Sequence, residues 1–369
     1  MLLIVSSAAS LAKRYGTAGA SKLREHMEAL QLNLTAFAAT VTTILPDDSG
    51  SVARLGLRAM SMSSPPAVLQ AIWAVSDAIG LSSEDALLLL GGNEVVPFAV
   101  MPNPAAGGVD PDATILSDNP YGFLASRAAE AFQAGAVPDF AVGRLPDFEP
   151  ASLDGFLALL DTLVSPSRGA RNGTFAVVNE AWFSPTVRIL GGDVTIRTTP
   201  PWSALNAEWK TQDAQVLYFN LHGFDNASAW RGFDETSGNW RDAVKPSDIA
   251  PEAVSGAIVF AENCYGGLVV GRSNTNSIAL SMLAAGVRVF VGSTGMAYGS
   301  FMQQPYTPID ADVLGGDFVQ GVRAGATAGY ALVSARRRLA ASTDPGGWSA
   351  DRQKTISEFV LYGNPLAMI

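Results

Sequence analysis

Six short apolar runs, LLIVS, ALLLLGG, TFAVVNE, QVLYFNLHG, GAIVFAENCYGG and VRVFVGSTG, are spread along the chain. Each is continuous rather than alternating, so as a strand it has no solvent face and belongs in a sheet covered on both sides. Segments of helical period lie between them. Leu23, Met27 and Leu30 recur on one face of LAKRYGTAGASKLREHMEAL, and Val68, Leu69, Ile72, Trp73 and Ile79 follow the helix-start signal of Ser64 and two prolines. Alternating strand and helix predict an α/β class with a parallel sheet.

A chain of 369 residues is long for one ordinary core, and two doubly wound α/β domains are expected. The first spans 1–147. A helix and linker occupy 148–172: Leu153, Phe156, Leu157 and Leu160 are spaced i, i+3, i+4, i+7, and SPSRGARNGT, with the basic Arg168 and Arg171, then breaks the pattern. The second domain spans 173–369, with EFVLYGNP as its last strand. NEVVPFAVMPNPAAGGVDPDATILSDNPYG reads as one long loop, rich in Pro, Gly, Asn and Asp. Its Asp110, Asp112 and Asp118 have the oxygen chemistry of calcium ligands, although Asp also favours turns, and turn formation is the reading adopted. Phe318, Val322 and Tyr330 are read as one long helix reaching Arg336, Arg337 and Arg338.

With 48% hydrophobic and 16% charged residues the chain is globular, and a net charge of −10 without a basic stripe excludes a nucleic-acid surface. A single cysteine excludes an internal disulfide framework and thiolate metal clusters. MLLIVSSAAS lacks a basic n-region and its apolar run is short, so it reads as a strand rather than a signal peptide. No run approaches the ~18 apolar residues of a membrane span, and a cytoplasmic protein without membrane contact is expected.

Two of the strand runs end in chemistry. QVLYFNLHG closes at His222 and GAIVFAENCYGG at Cys264, the only cysteine; the other histidine, His26, lies far away on the N-terminal helix. Groups leaving the carboxyl ends of neighbouring strands, ~4.8 Å apart, face a common substrate. A thiol is mostly protonated at neutral pH, and a nearby base makes it a nucleophile. The bland alternatives are a small buried hydrophobe and a structural histidine.

HG at one strand end and Cys among small residues at the next resembles the caspase-like cysteine peptidases. Within that group the chain is similar to the gingipain family through LLLLGGNEVVPF, LSDNPYG, PDFAVGRLP, LHGFDNASAWRG, FAENCYGG, VFVGSTGMAYGS and FVLYGNP, in that order. The resemblance implies a non-catalytic α/β domain followed by a catalytic caspase-like one. It implies Cys264 as nucleophile, His222 as general acid and base, backbone N–H groups of Gly223 and Cys264 as the oxyanion hole, and Glu180 orienting the histidine. It places Asp193 at the base of the specificity pocket and Tyr298 on its wall, with Trp230 also at the substrate, and so suggests cleavage after Arg or Lys. Neither a cofactor nor a metal is required by this reading. A protein or peptide substrate is expected, together with a regulatory protein or inhibitor that restrains the enzyme. The segment between His222 and Cys264 is expected to be a loop and a helix. A non-catalytic scaffold and a thiol hydrolase of small esters or amides are the alternative classes.

Overall fold

The computed structural model describes residues 1–164, 173–192, 194–199, 214–234, 236–299, 308–342 and 348–369. In chain order the strands are β1 (Leu2–Val5), β2 (Val41–Ile44), β3 (Ala86–Leu90), β4 (Ala99–Pro102), β5 (Thr114–Ser117), β6 (Ala141–Leu145) and β7 (Thr174–Asn179). They continue with β8 (Val194–Thr199), β9 (Val216–Asn220), β10 (Trp230–Asp234), β11 (Asn239–Val244), β12 (Ile258–Ala261), β13 (Val289–Ser293) and β14 (Phe359–Gly363). Ten of these form one sheet in the order β2-β1-β3-β6-β14-β13-β12-β9-β7-β8.

The sheet is parallel except at its centre. There β14 runs antiparallel to β13 and parallel to β6, the latter through the single pair Tyr362 and Arg144. Strands on the two sides of this seam therefore point in opposite directions. The α/β class and the mostly parallel sheet are as expected. The sheet itself does not stop at the boundary expected within 148–172, and residues 165–172 of that linker, with Arg168 and Arg171, lie outside the described residues.

Alternate residues of β7, β9 and β12 enter two separate cores, which explains their continuous apolar runs. Phe175, Leu217, Phe219 and Val259 enter one; Ala176, Tyr218, Ile258 and Phe260 enter the other. All of Leu2–Val5 and Ala86–Leu90, by contrast, belong to the first. The first core is closed by the helices Ala8–Leu34, Pro65–Ile79, Leu153–Thr162 and Ile278–Ala284, the second by Phe183–Leu190, Asp310–Arg323 and Ala328–Ala341. Each fully buried Leu or Phe stabilises by roughly 1.5–3 kcal/mol, so packing on both faces outweighs local propensity.

Three segments differ from the sequence reading. The long loop after β3 contains the β4–β5 hairpin, in which Ala99 and Met101 are buried while Val100 and Pro102 are exposed. The stretch between His222 and Cys264 contains a second hairpin, β10–β11, before the short helix Pro251–Val254. The single long helix is two: one ends at Arg323, the next starts at Ala328 with Thr327 accepting from the Tyr330 N–H, and Tyr330 is half-exposed.

At the seam, buried Arg144 makes a two-point ion pair with Asp118 at 2.6 and 2.8 Å, and donates to the carbonyls of Gly91 and Val96. Its guanidinium also lies 4.0 Å above the Phe98 ring. No helix among the described residues is long and apolar enough to cross a membrane.

Candidate active site

Beyond β9 the chain passes Leu221 to His222, whose backbone exchanges two hydrogen bonds with Arg231 of β10, both at 2.8 Å. This fixes the histidine backbone. Its ring is held between two indoles, with Trp182 at 4.5 Å between ring centroids and Trp240 edge-on at 4.7 Å. Burial removes water from the imidazole and lowers its pKa to about 4, which favours the neutral ring.

Beyond β12 the chain turns sharply through Glu262, Asn263, Cys264 and Tyr265. Tyr265 adopts the left-handed φ of 55°, and its N–H donates to the Gly295 carbonyl at 2.6 Å; the N–H of Gly267 donates to Ser293 at 2.7 Å. The turn is thus laced to the end of β13. The Cys264 thiol donates to the Ala297 carbonyl at 3.6 Å, and burial pushes its pKa up to about 11.

The two strand exits touch at Gly223. A Cβ there would run into the carbonyl oxygen of Cys264, so only glycine lets the loop after His222 pack against the backbone of the Cys264 turn. His222 and Cys264 line one pocket of about 350 Å³, together with Trp182, Glu262, Met296 and Tyr298.

Glu262 was not singled out by the sequence reading. It ends the apolar run, is two residues before Cys264 and lines the same pocket. It accepts a hydrogen bond from the Tyr218 hydroxyl. Burial first, and the Asp312 carboxylate next, push its pKa well above the usual carboxylate range, which favours the protonated form of Glu262. Gly299 keeps the space above them clear, since a Cβ there would stand 2.6 Å from Glu262 Oε1. A charged residue directly at the end of an apolar strand run was the available signal.

The other expected residues divide. Tyr298 lines the pocket and donates its hydroxyl to Asp110 at 3.0 Å. Glu180 is exposed in the turn after β7 and is not among the lining residues; Trp182, two residues on, meets His222 instead. Trp230 is a core residue, 5% exposed and packed on Phe219 and Phe290; it does not line the pocket of His222 and Cys264 but a crevice of about 20 Å³ that Cys264 also borders. Asp193 lies outside the described residues. Of the three loop aspartates, Asp118 pairs with Arg144, Asp110 with Lys354, and Asp112 accepts from the Tyr265 hydroxyl. Among the described residues no group of three His, Cys, Asp or Glu side chains is arranged to hold a metal ion.

Fold and site define the class: an α/β protein with a large, mostly parallel sheet, carrying a thiol and an imidazole in one pocket where β9 and β12 end. No protein-family model matches the sequence, and no curated protein matches it. Among solved structures the chain is similar to one described as a protease, with a TM-score of 0.57 and 12% identity over 100% of this chain and 78% of that one. It is also similar to parts of two structures of the Saccharomyces cerevisiae separase–securin complex. These have TM-scores of 0.40 and 0.38 at 10% identity, over 76% and 61% of this chain and 16% and 14% of the chains there. The first likeness gives the fold, which is one that a protease has; the other two are too slight to argue from.

Proposed function

We propose that this chain is a cysteine endopeptidase of gingipain type that cleaves after Lys or Arg. The observation that carries the reading is the meeting of Cys264 and His222 in one pocket, with Gly223 packed on the Cys264 backbone. In this reading the Cys264 sulfur attacks the scissile carbonyl carbon while its proton passes to His222. The carbonyl oxygen becomes negative and is received by the backbone N–H groups of Gly223 and Cys264. His222 then gives its proton to the leaving amine, and water hydrolyses the acyl thioester. Both groups start neutral, so proton transfer accompanies attack rather than preceding it. We assign the orienting of the imidazole to Trp182, Trp240 and the backbone bridge to Arg231, rather than to Glu180.

A Lys or Arg side chain suits this pocket. Its aliphatic stem would run along Trp182, Met296 and Tyr298, and its cation would reach Glu262, with Asp312 behind it. We assign Glu262 the role first given to Asp193. Burial favours protonated Glu262 in the empty pocket and an arriving cation favours its ionised form, so binding of a basic P1 residue strengthens as pH rises. The test is a peptide series differing only at P1, with Arg, Lys, norleucine or Glu, assayed with wild type and Glu262→Gln. The variant is expected to lose about 100-fold in kcat/KM on the basic peptides and little on norleucine, because a pocket built for one polar group rejects its absence strongly. Equal losses across the series, or faster cleavage after Glu, would contradict the assignment.

A pocket of about 350 Å³ also has the size of a small-ligand site, and this favours a thiol hydrolase of small esters or amides as the second reading. That reading predicts no gain in kcat/KM when residues are added beyond P1.

A further inference from the structure

The loop between β4 and β5 comes from the N-terminal half, yet it ends at the pocket. Val109 is 79% exposed and lines the same pocket as Cys264. The loop holding it is closed on itself: Gly107 and Asp110 exchange backbone hydrogen bonds at 3.0 and 3.1 Å, and the Asn103 amide donates to Asp110 at 3.0 Å and to the Asp112 carbonyl at 2.8 Å.

It is also tied to both walls of the site. Asp110 accepts from the Tyr298 hydroxyl at 3.0 Å and pairs at 2.9 Å with Lys354, a fully buried cation that also meets Glu358 and donates to the Met296 carbonyl. Asp112 accepts from the Tyr265 hydroxyl at 2.8 Å. Tyr265 directly follows Cys264 in a left-handed conformation, one that a residue with a side chain keeps only where its surroundings hold it.

We propose that this loop is a specificity element of the peptidase site, in which Val109 covers the aliphatic stem of the P1 side chain and Asp110 and Asp112 hold Tyr298 and Tyr265 in position. The ligand class follows from the lining: a long side chain, apolar along its stem and cationic at its end. The inference rests on the peptidase reading. Val109 acts by contact with substrate, whereas Asp112 is a positioning residue that acts through Tyr265 on the Cys264 turn. The two roles separate kinetically.

The experiment compares Val109→Ser, Tyr265→Phe and Asp112→Asn with wild type on Lys, Arg and norleucine peptides, beside Cys264→Ala. Val109→Ser is expected to raise KM on all three peptides by about 3–10-fold with kcat nearly unchanged, as loss of part of a valine contact would give. Its exposed position leaves the thermal midpoint in place. Tyr265→Phe is expected to lower kcat about tenfold at constant KM, while Asp112→Asn, which keeps an acceptor, retains most of the rate. Unchanged KM in Val109→Ser, or unchanged kcat in Tyr265→Phe, overturns the proposal while Cys264-dependent cleavage persists. Cleavage that does not depend on Cys264 overturns the peptidase reading and this proposal together.

Discussion

Burial acts on the two reacting groups in opposite directions, raising the Cys264 thiol to about 11 and lowering the His222 imidazole to about 4. Both shifts favour the neutral form, so near neutral pH a thiol and a neutral imidazole are favoured in this pocket over a thiolate and an imidazolium. Since only the thiolate is alkylated, the rate of Cys264 modification by iodoacetamide is expected to climb about tenfold per pH unit from pH 7 to 10. A plateau in that rate between pH 6 and 9 would reveal an ion pair and contradict the assignment. That Cys264 and His222 would come together could be read from the sequence, because such residues are scarce in it and each follows an apolar run; they line one pocket. Glu262 was not legible although it follows the same run as Cys264: a carboxylate at a strand end looks like an ordinary loop charge until Tyr218 and Asp312, remote in sequence, are seen around it. The two indoles around His222 come from the turn after β7 and from β11, and no sequence spacing relates them.

Among the elements, β6 carries a buried cation at the centre of its contacts. Arg144 is fully buried and its charge is balanced by Asp118, so removing one partner leaves the other charge unpaired in the interior. Arg144→Ala is expected to destabilise the fold by about 3–5 kcal/mol in urea denaturation, whereas Arg144→Met combined with Asp118→Leu recovers much of the loss. A single-variant cost below about 1 kcal/mol would show that the pair is not structural. Long elements were legible: the period in Leu23, Met27 and Leu30 gave the first helix, and the apolar runs gave the inner strands. Both hairpins were hidden by their exposed sides. β4 alternates over only four residues between prolines, and β11 begins with three exposed residues, including Trp240 and Arg241.

At the scale of the molecule the halves are joined by the last strand to be made, β14, which lies at the centre of the sheet. Its apolar run marked it as a buried strand. Its direction was not legible, because a strand buried on both faces looks the same whether its neighbours are parallel or antiparallel. We propose 1–147 and 173–369 as units that share this strand, the second bearing Cys264 and His222 and the first supplying the loop with Val109. The account as a whole stands on covalent chemistry at one sulfur. Its most direct test is cleavage of a mixed peptide library by wild type and by Cys264→Ala, with cut sites read by mass spectrometry. Wild type is expected to cut after Lys and Arg, and the variant to lose at least about 1,000-fold in rate. Undiminished cleavage by Cys264→Ala would contradict the account.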